Sequence, residues 1–280
     1  MSNPIVSVLM TSYNREKYIS TAIESVLSST LHELELIIVD DGSKDRTVQI
    51  ARSFAEKDSR VRVHQNPKNL GDYPNRNQAA SLARGKYLKY VDSDDYMYPW
   101  ALEIMVGTME KYPEAGWGLC SMEPNPERVF PFMLNPREAY EYHYKGPGLF
   151  RRAPLSAIIR KDTFDQAGGF NPIRMAGDYE MWHRLAQRFS VVLMPEGMVW
   201  YRVHGDQEIR DMQQFIYTYE SLKIQYLLSD NCPLDKDTCR RIIKEDTRKT
   251  YRRLLGNLIH LNIPVLKINW KILRLHLSVK

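Results

Sequence analysis

Few cysteines and no long apolar run occur in this 280-residue sequence, and both shortages limit what the protein can be. The three cysteines, Cys120, Cys232 and Cys239, form no C-x-x-C pair and no disulfide framework. This pattern argues against a structural zinc site and is typical of a reducing compartment. No stretch approaches the roughly 20 apolar residues of a transmembrane helix, and the N-terminus lacks the positive start of a secretory signal. The sequence therefore predicts a soluble, cytoplasmic protein.

Two signatures of nucleotide-binding proteins are also absent. There is no G-x-x-x-x-G-K-S/T and no G-x-G-x-x-G, which argues against a P-loop NTPase and a dinucleotide-dependent dehydrogenase. The net charge of +5 is concentrated at one end, because residues 240–280 carry eleven Lys or Arg against two acids. No nucleic-acid partner is expected. These basic residues are predicted either to lie on an anionic membrane surface or to stay in water while their helices pack on the rest of the chain or on a second subunit.

Apolar strands alternate with amphipathic helices through the first half of the chain. Strands are predicted at 5–10, 34–39, 61–64 and 86–91, separated by helices, and this order indicates βαβ units and a mostly parallel sheet. The carboxyl ends of such strands meet at one edge of the sheet. Residues 1–206 are predicted to form this α/β domain, and 207–280 a basic helical extension.

Three local features carry their own predictions. Asn14 is expected to cap the first helix, and Gly85 is expected to end the third helix, which starts near Pro74. Residues 123–154 are rich in proline and aromatic side chains but have little periodicity. This segment is predicted to be either a floppy insertion or a binding loop.

Carboxylates follow two of the predicted strands. Asp92, Asp94 and Asp95 end the fourth strand, and Asp40 and Asp41 end the second. At the carboxyl edge of an open sheet, such a cluster can hold a hard divalent cation together with phosphates, while the other pair can accept hydrogen bonds from a base or ribose. Asp and Ser equally favour an acidic turn or a helix N-cap. Taken together, the two clusters point to a nucleotide diphosphate.

Five strings in a fixed order resemble one known family. They are S-V-L-M-T-S-Y-N-R-E-K-Y-I-S-T-A-I-E-S-V-L, L-I-I-V-D-D-G-S-K-D-R-T, N-L-G-D-Y-P-N-R-N, Y-V-D-S-D-D and G-D-Y-E-M-W. Over roughly 4–205 the chain resembles the inverting nucleotide-sugar glycosyltransferases of family 2. The resemblance implies the GT-A fold, a Rossmann-like α/β sheet flanked by helices, with a donor half at about 1–121 and an acceptor half at about 122–206.

The resemblance also implies which residues bind the donor. Thr11, Tyr13 and Asp40 match the pocket for the nucleobase and ribose, with Asp40 on the uracil of uridine-using members. Asp41, next to it, is a weaker candidate. Arg76 stands where the family often has an arginine in A-R-N, here N-R-N, and would contact the base or the diphosphate.

The D-S-D-D string matches the D-X-D region of the family. Asp92 would approach the ribose, while Asp94 or Asp95 would hold Mn²⁺ or Mg²⁺, so that Asp94 also counts as a donor-binding residue. His204 ends the last predicted strand and would complete the metal site, since neutral imidazole is a common ligand. The alternative for His204 is an ordinary surface or core histidine.

Asp178 matches the acid that serves the family as catalytic base. Alone, it could equally be a helix N-cap. The second acid of the usual E-D pair is replaced by Gly177, and Glu180 is an alternative base that points elsewhere along the helix. Trp182 and Trp200 could stack on an acceptor sugar, although such aromatic residues are more often part of a core.

The sequence as a whole predicts an inverting, metal-dependent glycosyltransferase. It would move a sugar from a nucleotide diphosphate, a UDP-sugar first among them, to a glycan or lipid-linked acceptor in cell-surface polysaccharide synthesis. Two alternatives are a sugar nucleotidyltransferase, whose glycine-rich signature after the first strand is missing here, and a carbohydrate- or nucleotide-binding module without activity. A peripheral place at the cytoplasmic face of a membrane and assembly as a homo-oligomer are further expectations.

Overall fold

The computed structural model describes residues 4–123, 125–205, 215–259 and 263–278. The chain forms two compact units, one of residues 1–139 and 150–203 and the other of residues 140–149 and 204–280. The boundary expected at Asp206 lies outside the described residues, three positions beyond the end of the first unit. The second unit also takes in residues 140–149, which local sequence patterns do not distinguish from their neighbours.

The first unit alternates strands and helices as the sequence predicts. Its N-terminal elements are β1 (Val6–Ser12), α1 (Ile19–Leu27), β2 (Leu34–Asp40), α2 (Thr47–Ala55), β3 (Val61–Gln65), α3 (Asp72–Ser81) and β4 (Tyr87–Tyr90). They are followed by β5 (Tyr96–Met97), α4 (Ala101–Lys111), β6 (Ala115–Met122), β7 (Phe132–Leu134), α5 (Pro136–Lys145), β8 (Ala157–Arg160), α6 (Lys161–Ala167), α7 (Gly177–Arg188), β9 (Ser190–Pro195) and β10 (Val199–Trp200). The last residues of α5 belong to the second unit.

One large sheet has the strand order β3-β2-β1-β4-β8-β6-β9-β7. The first four strands are parallel, as predicted, and the apolar runs of β1, β2 and β4 are buried, whereas most of the edge strand β3 is half-buried or exposed. Beyond β4 the sheet is mixed, since β8 and β7 run antiparallel to their neighbours. A separate pair joins β5 to β10. The α/β fold class is confirmed, and the ends of β1, β2 and β4 share one edge.

Gly85 has a different role from the predicted one. The third helix ends at Ser81, and Gly85 lies in the connection to β4, where a Cβ would stand 2.5 Å from the Ser7 backbone nitrogen. Its own N–H donates to Ser7 Oγ over 2.8 Å. The absence of a side chain at Gly85 therefore lets the chain pass close to β1. In the sequence alone, a glycine needed for such a contact cannot be distinguished from one that ends a helix.

The described residues of segment 123–154 contain more secondary structure than predicted. It contains β7, which pairs with β9 at the edge of the large sheet, and the ten-residue helix α5. A floppy insertion therefore does not describe these residues, and their role in binding stays a prediction. The strand is only three residues long, too short for a periodic signal.

Three helices make up most of the second unit: α8 (Ile216–Leu228), α9 (Lys236–Ile259) and α10 (Ile263–Ser278). Helices are thus present where the sequence predicted them, while the assignment of 207–280 as a separate basic extension stays a prediction. Cys232 and Cys239 are free thiols here, with sulfur atoms 3.6 Å apart. In the described parts of the chain, no helix combines the length and hydropathy needed to cross a bilayer.

Candidate active site

The loops that follow β1 and β2 are tied together by polar contacts. Asn14 has a left-handed backbone, with φ of 53°, and does not cap α1. Its N–H donates to Ser43 Oγ over 2.8 Å, and its Oδ1 accepts from the Lys44 N–H over 2.8 Å. The predicted cap is therefore wrong, and Asn14 instead fixes the spacing between two loops at the carboxyl edge of the sheet.

Asp40 is almost fully buried where these loops meet. Its Oδ1 accepts from the N–H groups of Gly42 and Ser43 at 3.1 and 2.9 Å, and its Oδ2 accepts from the Ser12 and Ser43 hydroxyls. A carboxylate has about four lone-pair positions, so this side chain is saturated within the fold. Asp40 thereby shapes the loop, and a nucleobase would have to replace one of these bonds to reach it.

Thr11 and Tyr13 lie at the end of β1 and are more accessible. Thr11 is partly exposed and Tyr13 is 46% exposed. An aromatic ring so placed can stack on a flat ligand. Asp41, in contrast, is buried, and it accepts from the N–H groups of Leu70 and Gly71 and from the Asn66 amide at 2.8 to 2.9 Å. Asp41 therefore holds the loop that leads into α3.

The three residues of the N-R-N string on α3 contact three different parts of the first unit. The Asn75 amide donates to the Val39 carbonyl of β2. Arg76 is buried, and its Nε donates to Asp72 Oδ1 over 2.8 Å while its Nη1 lies 2.8 Å from Asp92 Oδ1, an ion pair without hydrogen-bond alignment. Asn77 exchanges two 2.8 Å hydrogen bonds with the Phe170 backbone.

The D-S-D-D carboxylates each have a different cationic or amide partner. Asp92 faces Arg76, Arg15 Nε donates to Asp94 Oδ2 over 3.0 Å, and the Arg202 N–H donates to Asp95 Oδ1 over 3.0 Å. Burial, with the nearby charges of Asp92 and Asp94, raises the pKa of Asp95 to about 8 despite the Arg202 bond. Burial is the largest cause of this increase, and the charges of Asp92 and Asp94 add to it.

Carboxylates grouped in this way are typical ligands of a hard divalent cation. Within the described ranges, no three His, Cys, Asp or Glu side chains converge into a complete cage of protein ligands. A cation that is bound partly through substrate phosphates needs only one or two carboxylates, so a role for Asp94 and Asp95 as ligands stays a prediction. His204 is partly buried and belongs to the second unit, so its role as a ligand stays a prediction.

Asp178 lies in the first turn of α7. Its Oδ1 accepts from the Tyr179 N–H over 2.7 Å and from the Tyr73 hydroxyl over 3.2 Å. Both hydrogen bonds from described residues of the first unit reach the same oxygen, so Oδ2 remains available. Burial raises the pKa of Asp178 to about 6, although these bonds and the charge of Arg76 oppose the increase. Such a carboxylate is ionised at neutral pH yet basic enough to accept a proton.

The other predicted residues of this region have different environments. Glu180 is buried in a bidentate ion pair with Arg184, with contacts of 3.0 and 2.8 Å, so it does not serve as an alternative base. Trp182 is fully buried, and its ring stacks on Trp117 with centroids 5.2 Å apart. It is a core residue with no face for a sugar, which corrects the acceptor prediction. Trp200 is 46% exposed.

Three residues that sequence reasoning missed contact the site. Tyr73 reaches Asp178, Arg15 pairs with Asp94, and Arg202 donates to both the Asp95 carboxylate and the Asp94 carbonyl. Arg15 and Arg202 lie inside recognisable strings, S-Y-N-R and Y-R-V-H, and their charge beside an acid cluster was the available signal. Tyr73 also lies in one of the quoted strings, N-L-G-D-Y-P-N-R-N, but it carries no charge and its partner is 105 residues away.

The model of the family described as glycosyl transferase family 2 matches residues 7–168, more than half of the chain and all of the donor-side loops described above. The chain belongs to glycosyl transferase family 2. This transferase is 29% identical over 244 residues to an uncharacterized glycosyltransferase of Methanocaldococcus jannaschii, with 81% of each chain covered.

Two solved structures share the fold of the transferase. TarS 1-349 of S. aureus in complex with UDP-GlcNAc has a TM-score of 0.67 at 21% identity, covering 85% of this chain and 70% of that one. A mannosyltransferase from Pyrobaculum calidifontis in complex with GDP-Man and Mn²⁺ has a TM-score of 0.61 at 16% identity, covering 100% and 87%. Both likenesses place the chain in the GT-A fold.

Proposed function

We propose that this transferase moves a sugar from a nucleotide diphosphate to an acceptor hydroxyl with inversion at the anomeric carbon, and that Asp178 is its base. One observation carries the proposal. A single turn of α3 contacts both the proposed base and the acidic cluster. Tyr73 contacts Asp178, and Arg76, three residues later, contacts Asp92. The base and the acidic donor cluster are thereby held by one rigid element.

The reaction requires few protein groups. Asp178 Oδ2 accepts the proton of the acceptor hydroxyl as its oxygen forms the new bond to the anomeric carbon and the diphosphate leaves with the electron pair of the broken bond. A single displacement of this kind inverts the configuration. With a pKa of about 6, Asp178 is in its basic form above that pH.

For the donor, we propose a UDP-sugar bound across the ends of β1, β2 and β4. Thr11 and the exposed Tyr13 would hold the base, with Asp40 as the shaping acid and Asp92 towards the ribose. The UDP-GlcNAc complex of TarS supports this choice, while the GDP-Man complex of the mannosyltransferase makes guanine the competing base. A panel of UDP- and GDP-sugars in a thermal-shift assay separates the two, because bound donor raises stability according to its affinity.

We also propose a divalent cation, Mn²⁺ or Mg²⁺, at Asp94 and Asp95. When bound, it supplies positive charge to the departing diphosphate. The grouping of the Asp92, Asp94 and Asp95 carboxylates supports this assignment, since their charges add to burial in raising the pKa of Asp95 to about 8. Changing Asp94 to Ala should weaken metal-dependent donor binding, and an unchanged metal response would contradict the assignment.

The decisive experiment replaces Asp178 with Asn. Transfer should fall by about 100-fold or more, as expected for loss of a general base, with donor affinity nearly unchanged. A matched control is Asp162→Asn, because Asp162 also opens a helix, α6, and also accepts from the next N–H, at 2.6 Å, but is exposed. Equal loss of transfer and donor binding in Asp178→Asn would contradict the base role.

For the acceptor, we propose a glycan or lipid-linked sugar that uses Trp200 as a stacking surface. The exposed Trp200 ring lies 4.9 Å from the Arg202 guanidinium, which is hydrogen-bonded to the Asp94 carbonyl. Trp200 is thus connected to the donor side. Replacing Trp200 with Ala should raise the KM for the acceptor while leaving the KM for the donor unchanged.

The second unit supports a proposal about location. On α10, a stripe of exposed residues faces away from the buried side chains of that helix: Ile263, Lys267, Trp270, Arg274 and Leu277. Their spacing of three and four residues places them on one face. Apolar side chains between cations are typical of a helix that lies on an anionic lipid surface. We therefore propose that this face binds such a membrane.

Vesicle sedimentation tests the membrane proposal. Reversing Lys267 and Arg274 to Glu should weaken binding to anionic vesicles by about tenfold or more, at about 1 kcal/mol for each cation near the surface. Reversing Lys57 and Arg188, two exposed cations of the first unit, is the matched control. If wild-type protein ignores anionic vesicles and the Glu variant instead dissociates a dimer, this face binds a second copy of the chain.

A further inference from the structure

Tyr73 lies where it can control the geometry of Asp178. Its side chain is 6% exposed, and its ring packs against Phe170 with centroids 5.5 Å apart. Its hydroxyl donates to Asp178 Oδ1 over 3.2 Å. A buried tyrosine normally finds a hydrogen-bond partner, and here the partner is the carboxylate that the proposed function uses as base.

A second contact of α3 fixes the same region. Asn77, one helical turn after Tyr73, exchanges two 2.8 Å hydrogen bonds with the backbone of Phe170, in the loop that precedes α7. Residues four apart share one face of a helix. The same face of α3 therefore holds both the loop backbone and the carboxyl group that follows it.

Gly177 provides the space for this arrangement. A Cβ at this position would stand 2.7 Å from Cε2 of Tyr73 and 2.7 Å from the Asn171 carbonyl oxygen. Side-chain carbons do not approach other atoms so closely. Any residue larger than glycine would displace either the aromatic ring or the start of α7.

We propose that Tyr73 is a positioning residue that presents Asp178 Oδ2 to the acceptor hydroxyl, and that Gly177 is required for its placement. The Tyr73 hydroxyl and the Tyr179 N–H both hold Oδ1, which leaves the second oxygen for the proton. The inference rests on the proposed role of Asp178 as base. Tyr73 itself does not touch the reacting atoms.

Replacing Tyr73 with Phe removes only the hydroxyl. The kcat should fall by about ten- to a hundredfold, since a misplaced catalytic group costs about that much, while the donor KM stays unchanged. Because the lost hydrogen bond favours the ionised carboxylate, the pKa of Asp178 rises. The acid limb of the rate profile should therefore move to higher pH, a change that a merely structural role would not produce.

Tyr87→Phe is the matched control, because it also removes a hydroxyl from a buried ring. The Tyr87 hydroxyl contacts Glu110 and Arg160, away from Asp178, so this variant should keep its kcat and pH profile. Gly177→Ala should reproduce the effects of Tyr73→Phe, and combining the two should add little, as expected for residues acting through one contact. Circular dichroism verifies that each variant is folded.

Two results would overturn the inference. One is a Tyr73→Phe enzyme with the wild-type kcat and acid limb, and the other is full additivity of Tyr73→Phe with Gly177→Ala in folded protein. Asp178→Asn separates this failure from failure of the proposed function. If Asp178→Asn is inactive while Tyr73→Phe is normal, the base stands and only the positioning role is wrong.

Discussion

Arg15 Nε donates to Asp94 Oδ2 over 3.0 Å, so a fixed positive charge occupies one side of a carboxylate that is proposed to bind a metal cation. The two side chains are 23% and 13% exposed, which means that the pair is only partly screened by water. Arg15 would therefore compete with a cation bound at Asp94. Replacing Arg15 tests this competition.

Arg15→Gln should tighten Mn²⁺ binding in the presence of UDP by about fivefold, because an ion pair of this exposure is worth about 1 kcal/mol. Free Mn²⁺ measured by electron paramagnetic resonance gives the affinity directly. Arg46→Gln is the control, since Arg46 pairs with Glu16 and is 75% exposed. Weaker Mn²⁺ binding in Arg15→Gln would mean that Arg15 orients Asp94 rather than competing for it.

The raised pKa of Asp178 predicts a stability cost at neutral pH. Folding raises this pKa from 3.8 to about 6, so the folded state holds the proton more tightly. Stability is therefore greatest below pH 4 as far as Asp178 is concerned, and it falls as pH rises through 6, by on the order of 1 to 3 kcal/mol. Asp178→Asn should raise Tm at pH 8 and leave it unchanged near pH 4. A lower Tm at pH 8 would contradict this prediction.

Two glycines with opposite surroundings make a matched pair. At Gly85 a Cβ would lie 2.5 Å from the Ser7 nitrogen, whereas at Gly107, inside α4, no atom lies within 4 Å. Gly85→Ala should reduce the free energy of unfolding by about 1 to 3 kcal/mol through overpacking. Gly107→Ala should increase it by about 0.5 to 1 kcal/mol. Urea unfolding measures both, and a loss in each variant would refute the distinction.

An ionic cluster holds the three helices of the second unit together. Glu220 contacts Lys223 and, at 3.4 Å, His276 Nε2, while Lys223 Nζ lies 2.9 Å from Asp246. Burial alone would raise the pKa of Glu220, but the His276 and Lys223 contacts outweigh it and lower the pKa to about 2. A lowered pKa gives stability above the ordinary value of 4.5 that is lost as pH falls towards 2.

Glu220→Gln should therefore destabilise the second unit at pH 7 by on the order of 2 kcal/mol, with a smaller difference at pH 3. Peptide-resolved hydrogen exchange at pH 7 should show faster exchange in α8, α9 and α10. The exposed Glu245 of α9, changed to Gln, is the control. Unchanged exchange in Glu220→Gln would show that the cluster adds no stability.

The sequence predicted most of the fold of the first unit, because its signals are local. The apolar runs that become β1, β2 and β4, and the helices between them, can be identified from residues within one element. Parallel pairing follows from that alternation. The same reasoning predicted correctly that acids follow β2 and β4, and that their strand ends share one edge of the sheet.

The sequence could not reveal contacts whose partners are distant along the chain. Asn14 has cap chemistry but binds the loop after β2, and Gly85 resembles a helix stop but is needed for its approach to Ser7. Trp182 was predicted to stack on an acceptor sugar, but it packs in the core beside Trp117. In each case the residue type was informative, while its partner decided the role.

The same division applies to the candidate site. By itself the sequence determined which chemical groups are present, since Asp178 and the D-S-D-D acids lie in recognisable strings. Only the tertiary structure decided that α3 connects them, through Tyr73 on one side and Arg76 on the other. The physical reason is that the residue types determine which functional groups the chain carries. The orientation and pKa of a carboxylate depend instead on burial and on neighbours that folding brings together.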